Sequence, residues 1–301
     1  MRFRGRQALS RIKVRLITDA DISAAINLLT RGYGSGRAPR SRSFWEDIFS
    51  CLRHRPLPAG ELPRYGYVID SDGELVGILL LIFSTIWENG KAKIRCNGLG
   101  FYVEPAFRLC ASLLIRKASD FKEATVLNLT PAENTFRMIE ALSYVRYCDG
   151  IYVSIPLFSR APREAPVSVV DVHTKLDVLL DPHDRDLLLE HADCGCTSLW
   201  CITPQDAYPF VFRIRQVKKV PCAQLVYCRN VDDFVRFARP IGLFLARYTG
   251  RFLVLLDANG PVQGLVGKYF AGKANRYFRG SDRPRLGDLA YTEISLFGIG
   301  P

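Results

Sequence analysis

A cation stands where an apolar strand turns into an apolar helix, within the segment Gly100–Ala118. Gly100–Val103 is typical of a buried strand, Pro105 of a turn, and Arg108 falls at the start of the helix that follows. A helix N-terminus offers backbone N–H groups and the positive end of the helix dipole, and a nearby guanidinium adds a full positive charge. This pattern predicts a site for an anion such as a phosphate group.

Three other clusters contain residues that could do chemistry. His191, Cys194 and Cys196 have a spacing that invites zinc, but no second pair of ligands is clear, so we expect no metal and buried, reduced thiols instead. The basic stretch Arg213–Lys219 is typical of a solvated strand face. The polar C-terminal run predicts a loop of salt bridges, with a contribution to a ligand cleft as the alternative for Asp288, Tyr291 or Glu293.

Composition narrows the class of protein. The chain has 301 residues, 48% of them hydrophobic, which is enough for about two domains. The longest apolar run, 76–86, is shorter than the roughly 18 residues of a membrane span. The N-terminus is basic but lacks the apolar core of a secretory signal, and the cysteine count of nine is odd, so we expect a cytoplasmic protein with reduced thiols.

The net charge of +11 favours an anionic partner, which could be nucleic acid, anionic lipid or a phosphorylated cofactor. No helix-turn-helix, zinc-finger or aromatic RNA-binding signature accompanies the charge. Nucleic acid is therefore the less favoured of these partners.

Hydrophobic periodicity divides the chain into two series of elements. Up to residue 155 the predicted order is β, α, α, β, β, β, α, β, α, β, β, and the proline-rich stretch 156–166 is a linker. The second half, 167–301, repeats the plan of strands, a long helix and more strands. The sequence thus predicts an α/β protein with two domains, 1–155 and 167–301, each built on a mixed, mostly antiparallel sheet with flanking helices.

Some element predictions are specific enough to be checked individually. Asp70–Gly73 is a strong hairpin signal, because Asp and Gly tolerate positive φ. Pro240 should split the helix 231–248. Further strands are expected at 144–147, 151–155, 167–180 and 289–297, and the stretch 262–269 should pair back on 252–256.

The first 155 residues resemble the GNAT superfamily of N-acyltransferases. Tyr102, Val103, Pro105 and Arg108 match the family's aromatic-Val-x-Pro-x-x-Arg pattern, whereas Ala111 and Leu113 replace its loop glycines. The resemblance implies acetyl-CoA or another acyl-CoA as co-substrate, with its pantetheine arm on the strand and its pyrophosphate on the turn. The cofactor-binding residues that it implies are Phe101, Tyr102, Val103, Arg108, Leu109, Cys110, Ala111 and Ser112. The second half would be a degenerate GNAT-like copy.

The family's usual catalytic groups are absent from the matching positions. Leu99 falls near the position of the usual glutamate base, and Ile139 falls at that of the usual tyrosine acid. The family also places a β-bulge before the cofactor turn, for which Asn97–Gly98 and Gly100 are suitable. The candidates that remain for catalysis are Tyr144 and Asn128, with Thr130, Tyr147 and Cys148 as alternatives.

The resemblance implies an acyl-CoA-dependent N-acyltransferase, most simply an acetyltransferase, acting on a small-molecule or peptide amine. Two other functions stay open. The missing acid and base favour a non-catalytic protein that binds acyl-CoA or another ligand, and the positive charge favours a protein that binds nucleic acid.

Overall fold

The computed structural model describes residues 12–34, 39–88, 90–159, 168–174 and 181–300. The chain folds into two compact units. The first comprises Met1–Leu127 and Asn134–Ser143, and the second comprises Asn128–Glu133 and Tyr144–Pro301. The sequence-based domains, 1–155 and 167–301 with a linker between them, stay a prediction about independently folding parts.

The first unit is a five-stranded sheet, β1-β2-β3-β4-β5, flanked by helices. All neighbouring strands are antiparallel except β4 and β5, which are parallel. Its elements in chain order are β1 Ile12–Leu16, α1 Ile22–Tyr33, α2 Arg42–His54, β2 Gly66–Ser71, β3 Glu74–Glu88, β4 Lys91–Val103, α3 Ala111–Ala118, β5 Ala124–Asn128 and α4 Phe136–Ala141.

The predicted hairpin between β2 and β3 is confirmed in its turn. Asp72 and Gly73 have φ of 53° and 91°, and the Gly73 N–H donates to Asp70 Oδ1 at 2.8 Å. Both central residues therefore have the positive φ that a tight hairpin requires. The turn fixes the register that buries residues 75–84 of β3, as its long apolar run predicts.

The second unit has the strand order β12-β6-β11-β10-β9-β8-β7, in which β10 and β11 are parallel. Its plan of strand, helix, three antiparallel strands, helix and parallel strand repeats that of the first unit. Its elements are β6 Val145–Ser154, β7 Ser168–Asp171, α5 Pro182–Asp193, β8 Thr197–Ile202, β9 Ala207–Val217, β10 Val220–Cys228, α6 Val231–Arg236, α7 Ala238–Thr249, β11 Val254–Ala258, β12 Gly267–Arg279 and α8 Glu293–Phe297.

The expected split of the long helix is confirmed, but it falls before the proline. The chain breaks at Phe237, and Pro240 sits in the first turn of α7. A proline in the first turn costs little, because the N–H that it lacks has no partner within the helix there.

The prediction of two strands around Asp149–Gly150 is wrong, because Gly150 was interpreted as a turn residue. The structure has the single strand β6 there. A Cβ on Gly150 would lie 2.3–2.5 Å from atoms of the Tyr269 ring on neighbouring β12, so this glycine serves close packing rather than a turn.

Three other strand predictions are also wrong. The expected strand over 167–180 ends at Asp171 and turns at 172–174, while 175–180 lie outside the described residues. The expected C-terminal strand is a turn and the helix α8, because a Thr292–Ser295 capping box starts that helix and left-handed Gly298 ends it. The strand β12 pairs with β6, which separates it from β11.

Candidate active site

The parallel strands β4 and β5 pair over only four residues before they part. Their register runs from Ile94 opposite Ala124 to Asn97 opposite Leu127. Beyond Asn97, β4 continues for six residues to Val103 while still pairing with β3 on its other side. Within the first unit, the second half of β4 therefore presents an edge that β5 does not cover.

A bulge marks this parting of the strands, as the sequence predicts. Ile78 lies opposite Tyr102 and Leu80 opposite Leu99, so β4 contains one residue more than β3 between these pairs. Gly100, at the bulge, has φ of 59°. A Cβ there would also come within 3.3 Å of the side chains of Leu80 and Trp45. The positive φ favours glycine at this position, and the nearby side chains leave little room for a Cβ.

The last turn of α1 holds the uncovered half of β4 in place. The Tyr33 hydroxyl donates to the Phe101 carbonyl at 2.8 Å, and Arg31 forms an ion pair of 2.9 Å with Glu104. Between them, Gly32 lies so close to the Tyr102 ring that a Cβ would be only 2.4 Å from it. Three consecutive residues of α1 thus fix Phe101 to Glu104, the strand end that leads to the turn.

The turn after β4 is more helical than expected. Pro105–Cys110 forms a 3-10 helix that runs directly into α3, instead of an open loop before a helix at about Leu109. The Phe107 N–H donates to the Glu104 carbonyl at 2.9 Å, and the Ala111 N–H donates to the Arg108 carbonyl. Because these two N–H groups donate within the turn, they do not point at a bound anion. The positive charge that attracts an anion must then come mainly from a side chain.

Arg108 supplies that side chain. It is exposed, and it makes no ion pair with any part of the chain that the structure describes. Leu109 beside it is 97% exposed, and Leu113, which replaces a family glycine, is turned outward and 40% exposed. Cys110, Ala111 and Ser112 are half-buried. An exposed cation with apolar neighbours can bind a group that combines phosphate with apolar surface.

The two predicted catalytic residues lie at the ends of different strands. Asn128 is the half-buried last residue of β5, and Tyr144 is buried immediately before β6. Of the alternatives, Cys148 is buried, and this burial, together with nearby Asp257, raises the pKa of its thiol to about 12, which does not favour a nucleophilic thiolate.

The residues after Asn128 are fixed by polar groups that sequence reasoning did not assign to the site. Arg276 is 1% exposed, and its Nη1 donates to the Leu129 carbonyl. Its Nε and Nη2 donate to the two oxygens of buried Asp257 at 3.0 and 3.1 Å. Burial opposes the charge, but Asp257 outweighs it and raises the pKa of Arg276 above its ordinary value. Thr130 follows, and its Oγ1 donates to Glu293 Oε1 at 3.1 Å.

A buried amide at the parting of β4 and β5 was also missed as a candidate. Asn97 is 0% exposed, and its Oδ1 has no hydrogen-bond partner among the described residues. Gln224 holds the corresponding last paired position of β10, but its Oε1 accepts from Arg215 at 2.5 Å. The only sequence signal was a polar residue within an apolar strand.

The His–Cys cluster does not form a metal site. The imidazole of His191 bonds through Nδ1 to the Leu187 carbonyl at 2.8 Å, and its Nε2 accepts from the Tyr291 N–H at 3.1 Å. Burial raises the pKa of the Cys196 thiol to about 11. Within the described ranges, no three His, Cys, Asp or Glu side chains gather around a common point, and the nine cysteines are free thiols.

Solved structures share this architecture. A GCN5-related N-acetyltransferase from Anabaena variabilis aligns over 89% of this chain and 72% of its own, at 12% identity and a TM-score of 0.55. A putative acetyltransferase from Pyrococcus horikoshii aligns over 96% and 97%, at 13% identity and a TM-score of 0.51. A probable N-acyltransferase from Enterococcus faecalis aligns over 93% and 74%, at 10% identity and a TM-score of 0.53.

This chain has the GNAT fold. The agreement extends over both units, as expected for tandem GNAT-like domains. No family model matches the chain, and no curated protein matches it. None of the helices that the described residues form is long and apolar enough to cross a membrane.

The second GNAT-like unit has its own strand-to-helix turn, but the adjoining strand edge is occupied. Its strand β10 pairs with β11 only as far as Gln224 and then bulges between Leu225 and Tyr227. The Cys228 N–H donates to the Gly287 carbonyl at 2.9 Å, and the Leu289 N–H donates to the Val226 carbonyl at 2.7 Å. The segment Gly287–Leu289 thus pairs along the part of β10 that corresponds to the uncovered half of β4.

The helix that follows β10 is also unsuited to an anion. The Asn230 side chain caps α6 by accepting from the Asp232 N–H, and Asp232 and Asp233 lie in the first turn. Their carboxylates lie in the first turn of this helix, where they repel a phosphate. Of the two GNAT-like units, the first therefore offers the better cofactor site.

Proposed function

We propose that this protein is an acyl-CoA-dependent N-acyltransferase, with acetyl-CoA the simplest co-substrate. The observation that carries the proposal is the uncovered, bulged half of β4, which leads directly to the exposed guanidinium of Arg108. The GNAT fold supports the same reaction class, since the structures that share it include acetyltransferases.

The cofactor follows the strand and the turn in this proposal. The pantetheine amides pair with the backbone of Phe101, Tyr102 and Val103, as an added strand pairs with a free edge. In an antiparallel ladder, hydrogen-bonded residue pairs alternate with non-bonded pairs. The Glu104 N–H donates to the Val76 carbonyl, so Glu104 and Val76 form a bonded pair. The N–H and the carbonyl of the preceding residue, Val103, therefore point away from β3. Arg108 binds the pyrophosphate, with Leu109, Cys110, Ala111 and Ser112 around it.

The acceptor is a small-molecule or peptide amine. Its neutral nitrogen attacks the thioester carbon, the C–S bond breaks, and CoA leaves as the thiolate. In this proposal Asn128, at the end of β5, polarises the thioester carbonyl by hydrogen bonding, whereas the Thr130 hydroxyl is engaged with Glu293. Tyr144 is the proposed proton donor to the leaving thiolate.

A turnover assay tests the proposal. Purified protein is mixed with acetyl-CoA and a panel of primary amines, and the released CoA thiol is measured with and without each amine. We expect amine-dependent thiol release above the enzyme-free rate. CoA binding without release with any amine would favour a non-catalytic binding protein. Steeply salt-dependent binding of DNA or RNA without CoA binding would support a nucleic-acid-binding protein instead.

A further inference from the structure

The outer face of α7, in the second unit, is apolar where the outer face of a surface helix is ordinarily polar. The inner face of this helix is buried in the hydrophobic core of the unit. Leu243 is 54% exposed and Tyr248 is 65% exposed, and Phe252, just beyond the end of the helix, is 56% exposed. Single exposed apolar residues are normal, but several large ones on one short segment are typical of an interaction site.

The aromatic part of this outer face is held in a fixed position. Phe244 is half-buried and packs against the core, and its ring lies 4.5 Å from the ring of Tyr248. The guanidinium of Arg247 lies 5.6 Å from the centroid of the Tyr248 ring, which is a cation–π distance. Because Tyr248 is already supported by these neighbours, little side-chain entropy is lost when a partner covers it.

The same face carries positive charge without negative charge. Arg239 and Arg247 are exposed, and with Leu243 between them they recur every four residues, which places all three along one stripe of the helix. From Ala238 to Arg251 the sequence contains no Asp or Glu. Neither Arg239 nor Arg247 forms an ion pair with a residue that the structure describes. This stripe is therefore complementary to an anionic surface.

Another helix of the same unit has the composition of an ordinary solvated face. The exposed side chains of α5 carry both signs of charge and, apart from Pro182, none is apolar; they are those of His183, Arg185, Asp186, Glu190 and Asp193. The outer face of α7 differs from this in its apolar content and in its single sign of charge. Its composition is therefore specific to α7 and is not a general property of the surface of this unit.

We propose that the outer face of α7 binds the surface of a membrane that contains anionic phospholipid. Arg239 and Arg247 bind lipid phosphates. Leu243, Tyr248 and Phe252 enter the boundary between headgroups and acyl chains, where apolar and aromatic side chains of surface-bound proteins lie. The proposal assigns a partner to the net charge of +11, which the acyl-transfer site does not require, and it is independent of the proposed acyl transfer.

The charge pattern favours a membrane over a second copy of this chain. In a dimer with twofold symmetry the same patch of both copies forms the interface. Two copies of this face would bring arginines together with no carboxylate of α7 to pair with them. A membrane surface supplies both the phosphates for the arginines and an apolar layer for the exposed side chains.

Co-sedimentation of the full chain with vesicles tests the proposal. The vesicles contain phosphatidylcholine alone or phosphatidylcholine with about 30% phosphatidylserine. We expect partitioning into the anionic vesicles to be at least about 25-fold stronger, because each arginine near such a surface contributes about fivefold. The double variant with Arg239→Gln and Arg247→Gln should lose this gain. Arg185→Gln, at an exposed site on α5, is the matched control and should change partitioning less than about twofold.

A second variant tests the apolar part of the face without a change of charge. Leu243→Ser should lower partitioning into the anionic vesicles about tenfold, because the leucine side chain no longer enters the membrane. Leu243 is exposed, so the Tm measured by circular dichroism should stay that of the wild type.

The other outcomes overturn the proposal. Wild-type protein that does not bind vesicles, or that binds neutral and anionic vesicles equally, contradicts it. Wild-type partitioning of the double arginine variant would show that another surface binds the lipid, and an equal loss in Arg185→Gln would show a general charge effect. If the wild type does not bind vesicles and Leu243→Ser converts a dimer into a monomer in analytical ultracentrifugation, a second copy covers this face instead.

Discussion

Charge reversal at Arg108 is expected to weaken CoA binding by at least about 30-fold. A hydrogen bond between charged groups contributes about 1.5–3 kcal/mol, and a glutamate adds repulsion from the pyrophosphate. Arg108 is exposed and is not engaged in an ion pair within the described part of the chain, so Arg108→Glu should leave the fold intact. Isothermal titration calorimetry with CoA measures the affinity directly.

The matched control is Arg116→Glu on α3, the helix that follows the turn containing Arg108. Arg116 is also exposed, and it lies eight residues along the chain, which is about 12 Å of helix. That distance exceeds the Debye length at physiological ionic strength, so we expect a change below about twofold. Equal affinities for wild type and Arg108→Glu would remove Arg108 from the phosphate site. Equal losses in both variants would show a general charge effect instead of a specific contact.

Removal of the buried cation in the second unit is expected to produce the largest loss of stability. Arg276→Met leaves the Asp257 carboxylate buried without its partner and frees the Leu129 carbonyl. Breaking a buried ion pair from one side costs about 3–5 kcal/mol of unfolding free energy. The variant should also lose activity, because Leu129 stands between Asn128 and Thr130. Urea denaturation followed by circular dichroism measures the cost.

The double variant Arg276→Met with Asp257→Asn separates the pair from its surroundings. With the charge of Asp257 removed, the second substitution should recover a substantial part of the lost stability, since coupled sites are not additive. An Arg276→Met variant that loses less than about 1 kcal/mol would show that this guanidinium does not hold the segment after β5.

Local chemistry made much of the fold predictable. The Asp72–Gly73 turn follows from the φ values that these residues allow, and the β4 bulge, which the family resemblance implied, lies at a glycine that allows it. Such features depend on a few residues that are neighbours in sequence, so they can be predicted from the sequence.

Long-range pairing could not be predicted in the same way. Gly150 gave the same signal as a turn glycine, although its purpose is contact with Tyr269. Nothing local in Leu289–Phe297 shows that 287–289 pair with β10. Strand partners are chosen by burial over the whole molecule, and a period-two pattern does not name the partner.

The residues of the candidate site show the same difference between local motifs and long-range contacts. Arg108 and the candidate cofactor strand were predicted from a contiguous motif, and Arg108 is exposed in the structure. Glu293 was named from the sequence only as one of three residues of a polar run that could contribute to a ligand cleft. Its relation to Thr130 depends on a contact across 163 residues. Asn97 was missed because its unsatisfied oxygen is a property of packing.

The central claim is that one GNAT-like unit of this chain, the first, binds acyl-CoA. Calorimetric titration of the wild-type protein with CoA tests it most directly through the stoichiometry. We expect one CoA per chain, because Gly287–Leu289 occupies the strand edge in the second unit and Asp232 and Asp233 flank its helix N-terminus. The absence of CoA binding, or two equivalent sites per chain, would contradict this account.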